Sequence, residues 1–132
     1  MTEPATRLSA DDRLEIIDLL ARYSWAFDTR DGEAYARTFT DDGVMQGPVT
    51  TVAGAEQLTT WARDFPPSVT RHTTSNIVIE GSGERAAAKS TLVVVGAADG
   101  ALTPILLGEY HDELHKTSSG WRIAHRRLVI HR

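Results

Sequence analysis

No cysteine occurs among the 132 residues, which removes disulfides, thiolate metal ligands and cysteine nucleophiles together. That composition suits a reducing compartment, and a cytoplasmic location is the expectation. Long apolar runs are missing too: stretches such as Leu92 to Val95 are far too short to span a bilayer. The amino-terminal Met-Thr-Glu-Pro-Ala-Thr-Arg lacks the apolar centre of a signal peptide. Charge of one sign is scarce, with 14 basic against 18 acidic residues and a formal net of -4. A field that weak favours neither nucleic acid nor an anionic membrane, and the locally basic run from Arg122 reads as the solvated face of a strand. Neither a glycine-rich phosphate loop nor a Gly-x-Ser-x-Gly elbow is present, and no segment repeats.

What is present reads as one domain over residues 1–132, with 41% hydrophobic content able to bury a core. Ser9 with Asp12 forms a capping-box pattern, which starts a long helix over residues 9–29. Asp31-Gly32 breaks it. Ala34, Tyr35 and Phe39 suggest a short second helix ending before Asp41-Asp42-Gly43; Val44-Met45 with Gly47-Pro48 reads as a short strand and reversal. Gly54 to Phe65 is a third helix, stopped by Pro66-Pro67. Four extended runs follow: Thr70 to Glu80, Arg85 to Val95, Leu102 to Lys116 and Trp121 to His131. Three helices and then a meander imply an α+β fold, a curved and mainly antiparallel sheet wrapped on helices.

The first helix carries the most informative residue. Leu14, Ile17, Ala21, Ser24 and Asp28 recur at three- and four-residue steps, so an inward seam ends on a carboxylate. A buried carboxylate needs a partner, and His72 is the candidate. An imidazole oriented by a carboxylate is a general acid or base. Alternatively, Asp28-Thr-Arg-Asp-Gly is N-cap chemistry for the second helix, and His72 is a strand-end surface residue. Tyr23 is either a hydrogen-bond donor to a substrate or a core tyrosine. Tyr110 and Asp112 share one strand face, with Glu109, His111 and Glu113 on the other. Asp112 and Arg126 can pair across strands, for catalysis or for the sheet. His111 and His115 are four apart, about 13 Å along a strand, too far for one ion; no metal and no cofactor is expected.

Tyr23-x4-Asp28-x2-Asp31, His72-x3-Asn76, Gly108-x-Tyr110-x-Asp112 and Gly120-Trp121-Arg122-Ile123 leading to Arg126 stand in an order that resembles the SnoaL-like branch of the NTF2-like superfamily. The resemblance implies a cone-shaped α+β barrel enclosing a pocket. Within that superfamily the chain is similar to scytalone dehydratase and bile-acid 7α-dehydratase. Asp28 and His72 match the aspartate and histidine of both, Tyr23 falls where the bile-acid enzymes carry their tyrosine, and Arg126 falls near their C-terminal arginine. Phe27 stands where scytalone dehydratase has a tyrosine.

The implied catalytic set is Asp28, His72, Tyr23 and Arg126, and the implied substrate-binding set is Phe27, Trp61, Asn76, Tyr110 and Asp112. Asp28 and His72 should meet inside a cavity lined by Phe27, Trp61 and Tyr110. The function expected is a cofactor-independent lyase or isomerase of the dehydratase or cyclase type, acting on a small apolar hydroxylated or carbonyl compound. A non-catalytic binding module and a limonene-type epoxide hydrolase using Asp28, Arg126 and Asp112 are the alternatives. A homo-dimer or homo-trimer is expected, from an apolar outer sheet face such as Leu92, Val94 or Leu106.

Overall fold

Ser9 closes its capping box: its hydroxyl accepts from the Asp12 N–H at 3.0 Å, and the Asp12 carboxylate accepts from the Ser9 N–H at 3.1 Å. The computed structural model describes residues 7–131; residues 1–6, on which the signal-peptide reading rests, and Arg132 lie outside the described residues. From its cap, α1 runs over Ala10–Asp28. Its inward face is not the expected one, since Leu14 is 64% and Ile17 43% exposed and Ala21 is exposed as well. The buried row is instead Ile16, Leu20, Ser24 and Asp28, with Leu19, Tyr23 and Phe27 beside it. Both stripes satisfy helical spacing, but only the second carries the large Tyr and Phe rings that fill the core. Asp28 ends the inward row in either case.

Asp31 caps α2 (Gly32–Arg37), its carboxylate accepting from the Ala34 N–H at 3.0 Å. A Cβ on Gly32 would lie 2.3 Å from the Thr59 carbonyl oxygen, so only glycine lets α2 seat against α3 (Ala55–Arg63). The second helix is shorter than expected. Phe39 opens β1 (Phe39–Gln46), which takes in the turn-like Asp41-Asp42-Gly43, and β2 (Thr51–Ala53) pairs beside it.

The meander consists of β3 (Thr70–Ser82), β4 (Arg85–Ala98), β5 (Ala101–Thr117) and β6 (Gly120–His131). Strand order is β2-β1-β6-β5-β4-β3, with β1 joined to β6 in parallel and every other pair antiparallel. The α+β cone is therefore a curved, unclosed sheet packed on the helices, with β2 and β3 at its edges. Alternation sets its faces. Ala86, Ala88, Ser90, Leu92 and Val94 of β4 point in with Gly108, Tyr110, Asp112 and Leu114 of β5. Leu92 and Val94 are thus core residues and not outer ones, and Leu106 packs against the same core. The large apolar side chains exposed on β3 and β5 are Val78, Leu102, Ile105 and Leu107.

Candidate active site

The C-terminal end of α1 has no basic residue in its last turn, which leaves Asp28 facing the negative end of the helix dipole. Its partner comes from β3. The carboxylate accepts the backbone N–H of His72 at Oδ2 (2.8 Å) and meets Nδ1 of the His72 ring at Oδ1 (2.6 Å). Asp31, not Asp28, caps α2, so the second reading of Asp28 does not apply. An ionised carboxylate only accepts, so Nδ1 is the ring nitrogen that donates to it. Among the described residues none hydrogen-bonds Nε2, and the His72 side chain keeps 15% of its surface against 3% for Asp28. The ring is held from behind at Nδ1, and its side chain is partly exposed.

A row of aromatic rings leads away from this pair. Phe27 presents its ring to His72 at 5.1 Å in an edge arrangement, Phe65 stacks on Phe27 at 4.9 Å, and Trp61 reaches Phe65 at 5.4 Å. Sequence reasoning missed Phe65; standing before Pro66-Pro67, it registered only as the end of a helix. Tyr35 continues the run from Phe27 (5.6 Å) to Tyr23 (4.9 Å).

Deeper in, Arg126 and Asp112 form a fork-to-fork pair at 2.7 and 2.8 Å with neither side chain exposed. The guanidinium lies 3.7 Å from the Tyr110 ring centre and 4.2 Å from that of Tyr23. Burial works against its charge, but the Asp112 carboxylate prevails and holds the Arg126 pKa above its ordinary value. Burial raises the Tyr35 and Tyr110 hydroxyls well above the usual tyrosine range, so both stay neutral. Tyr35 donates to the Tyr23 hydroxyl at 3.1 Å, while Arg126 Nη1 has no partner among the described residues.

The expected site residues therefore fall into separate groups. Asp28, His72 and Phe27 touch one another; Trp61 joins through Phe65. Tyr23, Tyr110, Asp112 and Arg126 form a second, buried group, in which the ring against Tyr110 belongs to Tyr23 and not to His72. Asn76 joins neither, being exposed with its amide on Thr91 Oγ1 at 3.2 Å. The Asp28, Arg126 and Asp112 set of an epoxide hydrolase is split between the two groups. Two surface hollows, of about 810 and 420 Å³, lie elsewhere: one along α1 and α2 near Trp25 and Arg122, the other on the outer sheet face near Lys89 and Arg127. His111 faces outward onto Glu109 at 3.0 Å and His115 onto Arg85.

The SnoaL-like domain model matches residues 8–127. The chain belongs to the SnoaL-like family. A protein of unknown function from Mycobacterium tuberculosis is 34% identical over 92% of this chain and 73% of that one, with a TM-score of 0.87. One of unknown function with a cystatin-like fold from Nostoc punctiforme is 30% identical over 96% of each chain, also at 0.87. A candidate scytalone dehydratase from Novosphingobium aromaticivorans is 22% identical over 94% of this chain and 89% of that one, at 0.79, and shares the SnoaL-like chain's fold. No curated protein sequence matches it. Among the described residues of this SnoaL-like chain, no helix is long and apolar enough to cross a membrane.

Proposed function

We propose that this SnoaL-like protein is a cofactor-independent lyase or isomerase, a dehydratase or cyclase, that acts on a small apolar hydroxylated or carbonyl compound through His72. One observation carries the reading: Asp28 occupies Nδ1 of His72 and leaves Nε2 unpartnered among the described residues. Nε2 takes a proton from a carbon next to a carbonyl, and Asp28 stabilises the imidazolium that forms. In dehydration the carbon electron pair becomes a C=C bond as the β-hydroxyl leaves, and the imidazolium proton goes to that oxygen to give water. In isomerisation the same proton returns to a different carbon. Phe27, Phe65 and Trp61 supply an apolar surface for the ring or chain of the substrate, while Tyr23 and Arg126 stay in the separate buried group paired with Asp112 and Tyr110. Membership of the SnoaL-like family and a fold shared with a candidate scytalone dehydratase support the reading. The protein self-associates through its outer sheet face, where Ile105 and Leu107 are 56% and 51% exposed.

The test is a panel of cyclic β-hydroxy ketones followed by ultraviolet absorbance for enone formation. His72→Ala lowers the rate about 10²–10⁴-fold with the fold intact. A panel without turnover leaves the binding module as the function, and a His72→Ala variant as fast as an active wild type moves the base to another residue. Sedimentation at micromolar concentration checks the self-association, which a monomer refutes.

A further inference from the structure

Arg30 stands two residues beyond the Asp28 carboxylate with a left-handed backbone, φ 59°, which a residue carrying a side chain adopts only at some cost. Its guanidinium uses its whole fork on one segment and one helix end. Nε donates to the Phe65 carbonyl at 3.1 Å, Nη2 to the Pro66 carbonyl at 2.8 Å and Ser68 Oγ at 3.3 Å, and Nη1 to the Phe27 carbonyl at 2.9 Å. The same group lies 5.5 Å from the Phe27 ring centre and 5.4 Å from that of Phe65. Residues 65–68 belong to no helix or strand, and among the described residues their hydrogen bonds to elements outside α3 all come from Arg30. Phe65 in turn backs Phe27, the ring in edge contact with His72.

One short turn of chain thus holds both ends of the same assembly. Asp28 grips His72, and Arg30 grips the segment that enters β3 just before it. We propose that Arg30 is a positioning residue for the His72 base: by pinning residues 65–68 to the end of α1 it fixes where β3 begins and keeps the Phe27 ring against the imidazole. The proposal rests on His72 being the base. Its physical content is that the left-handed turn is closed by main-chain bonds, Arg30 N–H to the Phe27 carbonyl at 3.0 Å and Asp31 N–H to the Ala26 carbonyl at 2.9 Å, while the Arg30 side chain ties residues 65–68 to that turn, so removing it frees the segment and the Phe65 ring that backs Phe27. Lysine cannot substitute, because a single ammonium on a flexible stem lacks the planar fork that reaches acceptors on two sides at once.

Arg30→Gly tests this, since glycine accepts φ 59° freely and removes the side chain without adding backbone strain. In ¹⁵N-labelled wild type, long-range nitrogen–proton correlation spectra should show His72 as a single tautomer with the proton on Nδ1. In Arg30→Gly the ring should become a mixture of tautomers, and the amides of Ser68 to His72 should exchange at least about tenfold faster, with unchanged far-ultraviolet dichroism. Arg30→Lys should behave like Arg30→Gly, and it is read in the same way should the glycine variant fail to fold. A variant that keeps the single tautomer and the wild-type exchange overturns the positioning role and leaves the base untouched. A wild-type His72 with its proton on Nε2 removes the base, and the proposal with it.

Discussion

Asp28 holds His72 twice, once through the ring at 2.6 Å and once through the backbone N–H at 2.8 Å. The ring contact orients Nδ1 toward the carboxylate, and the backbone contact ties β3 to the end of α1 at its third residue. Both need an acceptor, and only an ionised carboxylate offers two at that geometry.

Asp28→Asn tests the double grip. The amide keeps the volume but has one oxygen, so its NH₂ must face either the His72 backbone N–H or Nδ1–H. We expect turnover to fall on the order of 10²-fold or more and stability to fall by about 1–3 kcal/mol, measured by enone formation and by urea denaturation. Unchanged turnover would show that His72 does not depend on Asp28 for its tautomer.

The Arg126–Asp112 pair makes a different prediction because neither side chain is exposed. Removing one partner strands a buried charge: Arg126→Met should cost about 3–5 kcal/mol in urea denaturation. Adding Asp112→Leu should recover most of that loss, since an apolar pair of similar volume needs no compensation. A single variant costing under about 1 kcal/mol would mean that water reaches Asp112.

Strand alternation is legible where no bulge interrupts it. The period of two along β5 puts Tyr110 and Asp112 inside and His111 outside, and no competing register satisfies the same residues. On α1 two apolar stripes satisfy the helical period and share Ser24 and Asp28, and only packing under the sheet chooses Ile16 and Leu20 over Leu14, Ile17 and Ala21. Asn76 was lost to a bulge: its register shift between Ser75 and Val78, with φ 53° at Asn76, turns Ile77 and Ile79 inward where strict alternation would place Asn76. The full length of β1 has no local signal, because its partner is far along the chain, Phe39 pairing with Ile123. Arg30 gave no local signal at all; an arginine after a helix reads as solvated, and its acceptors at Phe65, Pro66 and Ser68 lie 35 to 38 residues away.

The buried tyrosines give the fold an alkaline limit. Burial raises the Tyr35 and Tyr110 hydroxyls above the ordinary value, so above roughly pH 10, where unfolded tyrosines ionise, the unfolded chain has lost protons that the native one keeps. The stability that these groups contribute is complete below that pH and is lost as pH rises toward their native values. Each should add a slope of up to about 1.4 kcal/mol per pH unit in that window. Tyr35→Phe should remove its own share of the slope while costing about 1 kcal/mol near neutral pH, where the hydrogen bond to Tyr23 is missed. Urea denaturation of wild type and variant between pH 8 and about pH 11.5 measures both quantities. Parallel curves across that range would show that Tyr35 ionises as readily in the native protein as in the unfolded chain, and so that water reaches the ring cluster beside Arg126.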